Sequence, residues 1–366
     1  METMLITIKK WKRTQFLGAQ NMKKSLISAS VASVIALTSF GALADGPNFY
    51  GRLDLTVTNS DTGLTTREAK EGTVLENNFS HLGVKGTEKI ADGIEVIYQM
   101  EFQVENTSTN SDVFKARNTY LGLKSAAGTI LVGRNDTVFK QSEGGIDLFG
   151  NSNADIDRLV GAQTRSADGI WYYSPKIADL LTINATYLME DNQASDDSQY
   201  AVSATLGDKK FKAQNYYVAG AYNKGISNID AYRAVAQVKL GDFKVGGLFQ
   251  NSESQAIDKN GVKLTNLEGN SYFVNVAYNL NGVNLKAEYG KDEAGLGVYA
   301  KRSGIQTADT TDVNITSIVV GADYKVAKST MVYGHYAMYD GDFKDAGTKT
   351  DLKDDNVFTV GVRYNF

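Results

Sequence analysis

Asn356-Val357-Phe358-Thr359-Val360-Gly361-Val362-Arg363-Tyr364-Asn365-Phe366 is an unbroken alternation of apolar and polar positions. Phe358, Val360, Val362, Tyr364 and Phe366 fall on one face, and Val357, Thr359, Gly361, Arg363 and Asn365 on the other. A period of two marks a strand whose two sides meet different surroundings. An apolar strand left at a sheet edge templates pairing with other chains, so this one is expected in a sheet that closes on itself.

The opposite end is read as an export signal. Met22 is followed by Lys23 and Lys24, an apolar stretch over residues 26–37, and Ala42-Leu43-Ala44 before Asp45. A basic start, a short apolar run and a small-x-small site are the three parts of a cleaved secretory signal. Ala44 is the expected last residue removed, and residues 1–21, with Lys9, Lys10, Lys12 and Arg13, form an upstream extension outside the fold. The expected organisation is therefore 1–44 as extension and signal, and 45–366 as one barrel.

Removing residues 1–44 takes six Lys/Arg and one Asp/Glu from totals of 38 and 42, leaving 32 against 41 and a formal charge of −9. So acidic a chain is a poor partner for nucleic acid. Cysteine is absent, as suits a chain that crosses an oxidising compartment unfolded. Beyond Ala44 no apolar run approaches the roughly 18 to 20 residues of a membrane helix. If this chain spans a membrane it must do so as a closed barrel, since only there are all backbone groups paired.

Barrel strands need about 9 to 11 residues. Sixteen alternating segments fit, at 48–58, 80–88, 94–104, 114–124, 128–136, 164–174, 179–189, 198–207, 210–219, 229–240, 243–251, 270–279, 283–291, 313–325, 329–339 and 356–366. The fold class expected is all-β, a transmembrane antiparallel barrel of 16 strands. Short turns such as Gly207-Asp208, Gly241-Asp242 and Asn281-Gly282 alternate with long polar connections at 59–79, 135–163 and 292–312, as on the two rims of such a barrel. Tyr98, Tyr187, Tyr200, Tyr278, Tyr289, Tyr324 and Tyr364 lie near strand ends, where interfacial girdles form. Pro47 and Pro175, the two prolines, fall at strand boundaries, where a missing donor costs nothing.

Chemistry is sparse. His81 and His335 are the only histidines, far apart in sequence and without a serine-centred elbow, so no enzyme is expected. Nothing has the spacing of a zinc site, and the acidic stretch 191–200 lacks the glycine and terminal glutamate of a calcium loop. Neither metal nor cofactor is expected.

Phe49-Tyr50-Gly51-Arg52, Ser80-His81-Leu82-Gly83-Val84-Lys85-Gly86, Arg117-Asn118-Thr119-Tyr120-Leu121-Gly122-Leu123 and Val132-Gly133-Arg134 follow one another along the first strands. Trp171-Tyr172-Tyr173-Ser174-Pro175, the 324–330 turn and Gly361 to Phe366 continue the series. In order and spacing they resemble the general diffusion porins of Gram-negative bacteria. That resemblance implies a trimeric, 16-stranded outer-membrane channel for ions and small hydrophilic solutes, in lipid and lipopolysaccharide, with an inward-folded third loop. It also implies an assembly signal at Tyr364 and Phe366, read by the barrel-assembly machinery. By position, Arg117, Arg134 and Arg165 match the basic wall of the constriction, with His81 where many relatives carry another Arg. Glu143, Asp147, Asp155 and Asp157 are candidates for the opposing acidic loop, and Ser142-Glu143-Gly144-Gly145 is the nearest match to the family's loop segment.

Opposed charges across a narrow wet gap set ion preference. The acidic total and a histidine on the wall together imply a weak preference for cations. Two other roles remain open at this stage. A sugar-specific porin would line its lumen with aromatic rails, but Trp171 is the only tryptophan outside the removed segment. An adhesin or phage receptor would use acidic surface loops such as 340–355.

Overall fold

The computed structural model describes residues 46–107, 112–190, 198–258 and 261–366. The export segment 1–44 lies outside them, as does most of the acidic stretch 191–200. Eighteen strand segments form one antiparallel sheet. They are β1 (Asn48–Ser60), β2 (Gly72–Asn77), β3 (His81–Ala91), β4 (Ile94–Val104), β5 (Phe114–Ser125) and β6 (Gly128–Asp136). Next come β7 (Arg165–Tyr173), β8 (Leu181–Leu188), β9 (Tyr200–Gly207), β10 (Tyr216–Lys224), β11 (Ile229–Leu240) and β12 (Phe243–Ser254). The last are β13 (Glu268–Leu280), β14 (Val283–Asp292), β15 (Thr310–Lys325), β16 (Thr330–Asp345), β17 (Thr348–Asp351) and β18 (Asp355–Asn365).

Two staves of this barrel are broken. β1 pairs with β3 over Asn48 to Arg52 and with β2 over Leu55 to Ser60, so β2 and β3 are halves of one strand interrupted at Asn78, Phe79 and Ser80. β16 pairs its outer end with β17 and the rest with β18, which are likewise one interrupted strand. The staves therefore number sixteen, and the register from Arg52↔Asn365 to Ser60↔Val357 closes β18 onto β1. Closure removes both edges, which is what the terminal alternation required.

Burial is inverted relative to a protein in water. On β1 the inward Asp54, Thr56 and Thr58 are 0%, 1% and 0% exposed, while the outward Leu53 and Val57 are 45% and 48% exposed. β18 repeats this, with Thr359 buried and Val360 and Val362 exposed. An outward apolar band is stable only against lipid, and the polar inward face only beside water or other polar groups.

Two expectations change. The strand expected at 210–219 starts later, because residues 210–215 form a turn: Asp208 Oδ1 accepts from the Lys210 amide at 2.8 Å, and Oδ2 accepts from the Lys212 and Ala213 amides at 2.8 and 2.9 Å. This side-chain capped turn holds the chain until Tyr216, where β10 begins. Nor is 340–355 a free loop, because β16 runs on to Asp345 and pairs with β17.

The connection 137–164 between β6 and β7 folds inward along the wall. Val138 N–H donates to Thr186 Oγ1 (3.0 Å), Tyr217 O–H to the Ser142 carbonyl (3.0 Å), Lys286 Nζ to the Leu148 carbonyl (2.8 Å) and Tyr339 O–H to the Asn153 carbonyl (3.0 Å). Between these anchors Ile146, Phe149, Ile156 and Leu159 bury themselves against Tyr217, Val235, Phe273 and Val319 of the inner wall. The loop thus supplies the barrel with its main apolar core.

Candidate pore constriction

Glu101 organises the basic wall. The β4–β5 register shifts between Met100 and Phe102, so that β5 carries an extra residue opposite Glu101 and turns Arg117 inward. Arg117 Nε donates to Glu101 Oε1 at 2.5 Å and Tyr50 O–H donates to Oε2 at 2.9 Å. His81 Nε2 stands 3.8 Å from the same Oε2, and its Nδ1 lies 2.7 Å from the Phe79 carbonyl. Arg165, at the start of β7, donates to Asn118 and pairs with Asp136 at 3.2 Å.

Arg134 does not join them. In the unbroken β5–β6 register it stands opposite Thr119, next to the pairs Leu121↔Val132 and Leu123↔Ile130 whose side chains are exposed on the outer face. Parity therefore places it on the face away from the cluster, which corrects the expectation that it lines the wall.

Sequence reasoning missed three wall partners. Arg363 Nε donates to Asp54 Oδ2 at 2.5 Å, Tyr333 O–H donates to Asp54 Oδ1 at 2.6 Å, and Arg52 Nε donates to Asn365 Oδ1 at 2.9 Å. Arg52, Asp54 and Arg363 all sit on the polar parity of their strands, so the signal was present in the alternation itself.

The four loop acids are placed differently from one another. Glu143 accepts from Gln163 Nε2 at 2.7 Å. Burial against the wall pushes its carboxyl up to about 7, opposed by Arg233 and Lys140. Asp147 accepts the Phe149 amide at 3.0 Å, and burial together with the neighbouring carboxylates of Asp155, Glu288 and Glu143 drives it well above the usual range. Asp155 caps the turn Ile156–Arg158, accepting from the Asp157 amide at 3.0 Å and the Asn151 amide at 2.7 Å. Burial alone would raise Asp155, but Arg67, Arg158 and these two amides outweigh it and hold the group below its ordinary value. Asp157 lies 3.3 Å from Arg158 and 4.0 Å from Arg67, and there burial wins and the carboxyl is raised. Each of Asp155 and Asp157 is thus matched by guanidinium groups rather than left bare in the lumen.

A sixteen-stave barrel is wide enough to leave an aqueous passage, and its lumen here carries charge on both the wall and the inward loop. The family model described as Gram-negative porin matches residues 29–345. The chain belongs to the Gram-negative porin family. Major outer membrane protein P.IB of Neisseria lactamica is 25% identical over 363 residues, covering 94% of this chain and 100% of that relative. Among solved structures, OmpT of Vibrio cholerae in its trimer form aligns with a TM-score of 0.61 at 18% identity, over 88% of this chain and 99% of that one. An anion-selective porin from Comamonas acidovorans aligns with a TM-score of 0.59 at 16% identity, over 88% and 100%. This porin accordingly resides in the outer membrane and forms a water-filled channel for passive diffusion of ions and small hydrophilic solutes.

Proposed function

We propose that this porin is a general diffusion channel with a weak preference for cations, working as a homotrimer and without catalytic activity. The observation that carries the selectivity is the pairing of charge around the lumen. Arg117 meets Glu101, Arg165 meets Asp136, Arg363 meets Asp54, and Arg67 with Arg158 meets Asp155 and Asp157. Charges that cancel at short range leave little net field, and exposed charges further away are screened within about 8 Å at physiological ionic strength. The remaining bias follows the acidic surplus of 41 over 32 in residues 45–366 and is therefore small and negative.

His81, Arg117 and Arg165 are the proposed basic wall, and Glu143, Asp147, Asp155 and Asp157 the proposed acidic loop. The trimer form of the Vibrio cholerae neighbour supports the same assembly here. Lipid and lipopolysaccharide are the partners of the outward apolar band, and Tyr364 and Phe366 the proposed signal to the assembly machinery. Residues 1–21 are the proposed upstream extension, 22–44 the proposed cleaved export signal and 45–366 the mature barrel. Single-channel recording in a planar bilayer, with the reversal potential across a potassium chloride gradient, tests the reading. Steps of current with a small cation-directed reversal potential are expected, and a clearly anion-directed potential would reject the charge balance.

A further inference from the structure

Three loops, and not one, meet over the lumen. The first, residues 61–71 between β1 and β2, is bent inward by a carboxylate at the head of β18. Asp355 Oδ1 accepts from Ser60 Oγ at 2.6 Å and the Thr62 amide at 3.1 Å, and its Oδ2 accepts from both the amide and the hydroxyl of Thr65 at 2.8 Å. Arg302, ending the short helix Val298–Arg302, donates to the carbonyls of Leu64, at 3.0 Å, and Thr66. Gly63 takes a φ of +74°, and a Cβ there would stand 2.4 Å from the Lys70 backbone, so the turn that doubles this loop back requires glycine. These bonds from two other elements add to the loop's own, in which Thr66 Oγ1 donates to the Gly63 carbonyl at 3.0 Å and accepts from the Lys70 amide at 3.2 Å.

What that fold delivers is Arg67. Its guanidinium lies 3.7 Å from Asp155 and 4.0 Å from Asp157, donates to the Ser152 carbonyl at 2.9 Å, and sits 4.2 Å from the centre of the Phe79 ring. Phe79 occupies the break between β2 and β3 with a φ of +60°, a conformation costly for an aromatic residue and stable only where the surroundings impose it. The same ring is 5.4 Å from the Arg117 guanidinium, which is bound to Glu101. A continuous line of contacts therefore runs from the wall to the third loop: Glu101, Arg117, the Phe79 ring, Arg67, and Asp155 with Asp157. A ring face attracts a cation, so Phe79 offsets part of the repulsion between the two guanidinium groups it lies between.

We propose that Arg67 is the selectivity-setting residue of this pore. It masks the carboxylates of the third loop, while Phe79 positions it between that loop and the wall arginine. This rests on the channel reading above and adds to it a residue from the first extracellular loop. Charge arithmetic gives the direction: Asp155 and Asp157 face Arg67 and Arg158, so losing Arg67 leaves one uncompensated negative charge at the narrowing.

The test is the reversal potential of folded, heat-modifiable protein in planar bilayers. Arg67→Ala should raise the potassium-to-chloride permeability ratio about twofold, the order of effect for one charge within a screening length. Arg67→Lys, which keeps the charge, should hold the wild-type ratio, and Asp155→Asn added to Arg67→Ala should restore it. Asp155→Asn alone, with Arg67 intact, should move the ratio toward chloride and serves if Arg67→Ala fails to assemble. A wild-type ratio in Arg67→Ala, an equal loss in Arg67→Lys, or no movement in Asp155→Asn overturns the proposal. Absence of any conductance from the folded wild-type protein would instead defeat the channel reading itself.

Discussion

Gly51 is glycine because of Phe366. A Cβ at position 51 would stand 2.3 Å from the terminal ring, and the two backbones bond reciprocally, Gly51 N–H to the Phe366 carbonyl at 2.9 Å and Phe366 N–H to the Gly51 carbonyl at 3.1 Å. Gly51→Val should push the exposed Phe366 ring aside at a cost to the barrel of under about 1 kcal/mol, measurable as at most a small shift of the urea midpoint. Deleting Phe366 should reduce insertion into the outer membrane, and normal surface levels would count against its assembly role. Glu143 makes a second case at this scale. Because its carboxyl titrates at about 7 beside Arg233 and Lys140, with Asp147 and Asp155 as further neighbours, it is neutral below that pH and charged above it. Lowering the pH from 8 to 6 should move the reversal potential toward anions, and Glu143→Gln should lose that part of the response. The sign for folding is the reverse of an ordinary carboxylate: the folded barrel binds this proton more tightly than the unfolded chain. Glu143 therefore adds stability as pH falls through about 7 and costs it above.

Elements were legible in the sequence wherever alternation was continuous, as in β1, β4, β11 and β18. The stretch 210–219 misled because Asp208 ties three following amides into a turn, and local capping overrode a pattern that had the right period. Arg134 misled for a related reason: position along a strand was matched, but one step of parity decides between lumen and lipid. The inward route of 137–164 was expected only through the family resemblance. Its partners, such as Tyr217 and Tyr339, lie 75 and 186 residues from the groups they bind. Arg67 was invisible, because nothing near it in sequence points to Asp155, Phe79 or Arg302. The first loop also offers a direct test of its tether. Asp355→Ala removes four hydrogen bonds to Ser60, Thr62 and Thr65. The variant should become cleavable by trypsin after Arg67 or Lys70 under conditions where the wild type resists, and equal resistance would show that Asp355 is dispensable beside the bonds of Arg302 and Arg67.

At the scale of the whole molecule, the sheet has no end at which unfolding can begin. Every stave is bonded on both sides, and those bonds are worth most where no water competes for them. Unboiled protein in detergent should migrate as a compact trimer and boiled protein as an extended monomer; identical migration of the two would exclude a closed, assembled barrel. The join between β1 and β18 has a further implication. Gly51 and Phe366 are neighbours, so numbering imposes a start and a finish on something that is, in its bonding, a ring. Linking residue 366 to residue 48 through a few glycines and reopening the chain at the Asn281-Gly282 turn should give a circular permutant that refolds in detergent with the same pore. Its new final strand would be β13, ending at Leu280 in place of Phe366. Such a permutant should conduct when reconstituted yet fail to reach the cell surface, separating the geometry of closure from the proposed assembly signal at Phe366; normal surface levels would count against that signal.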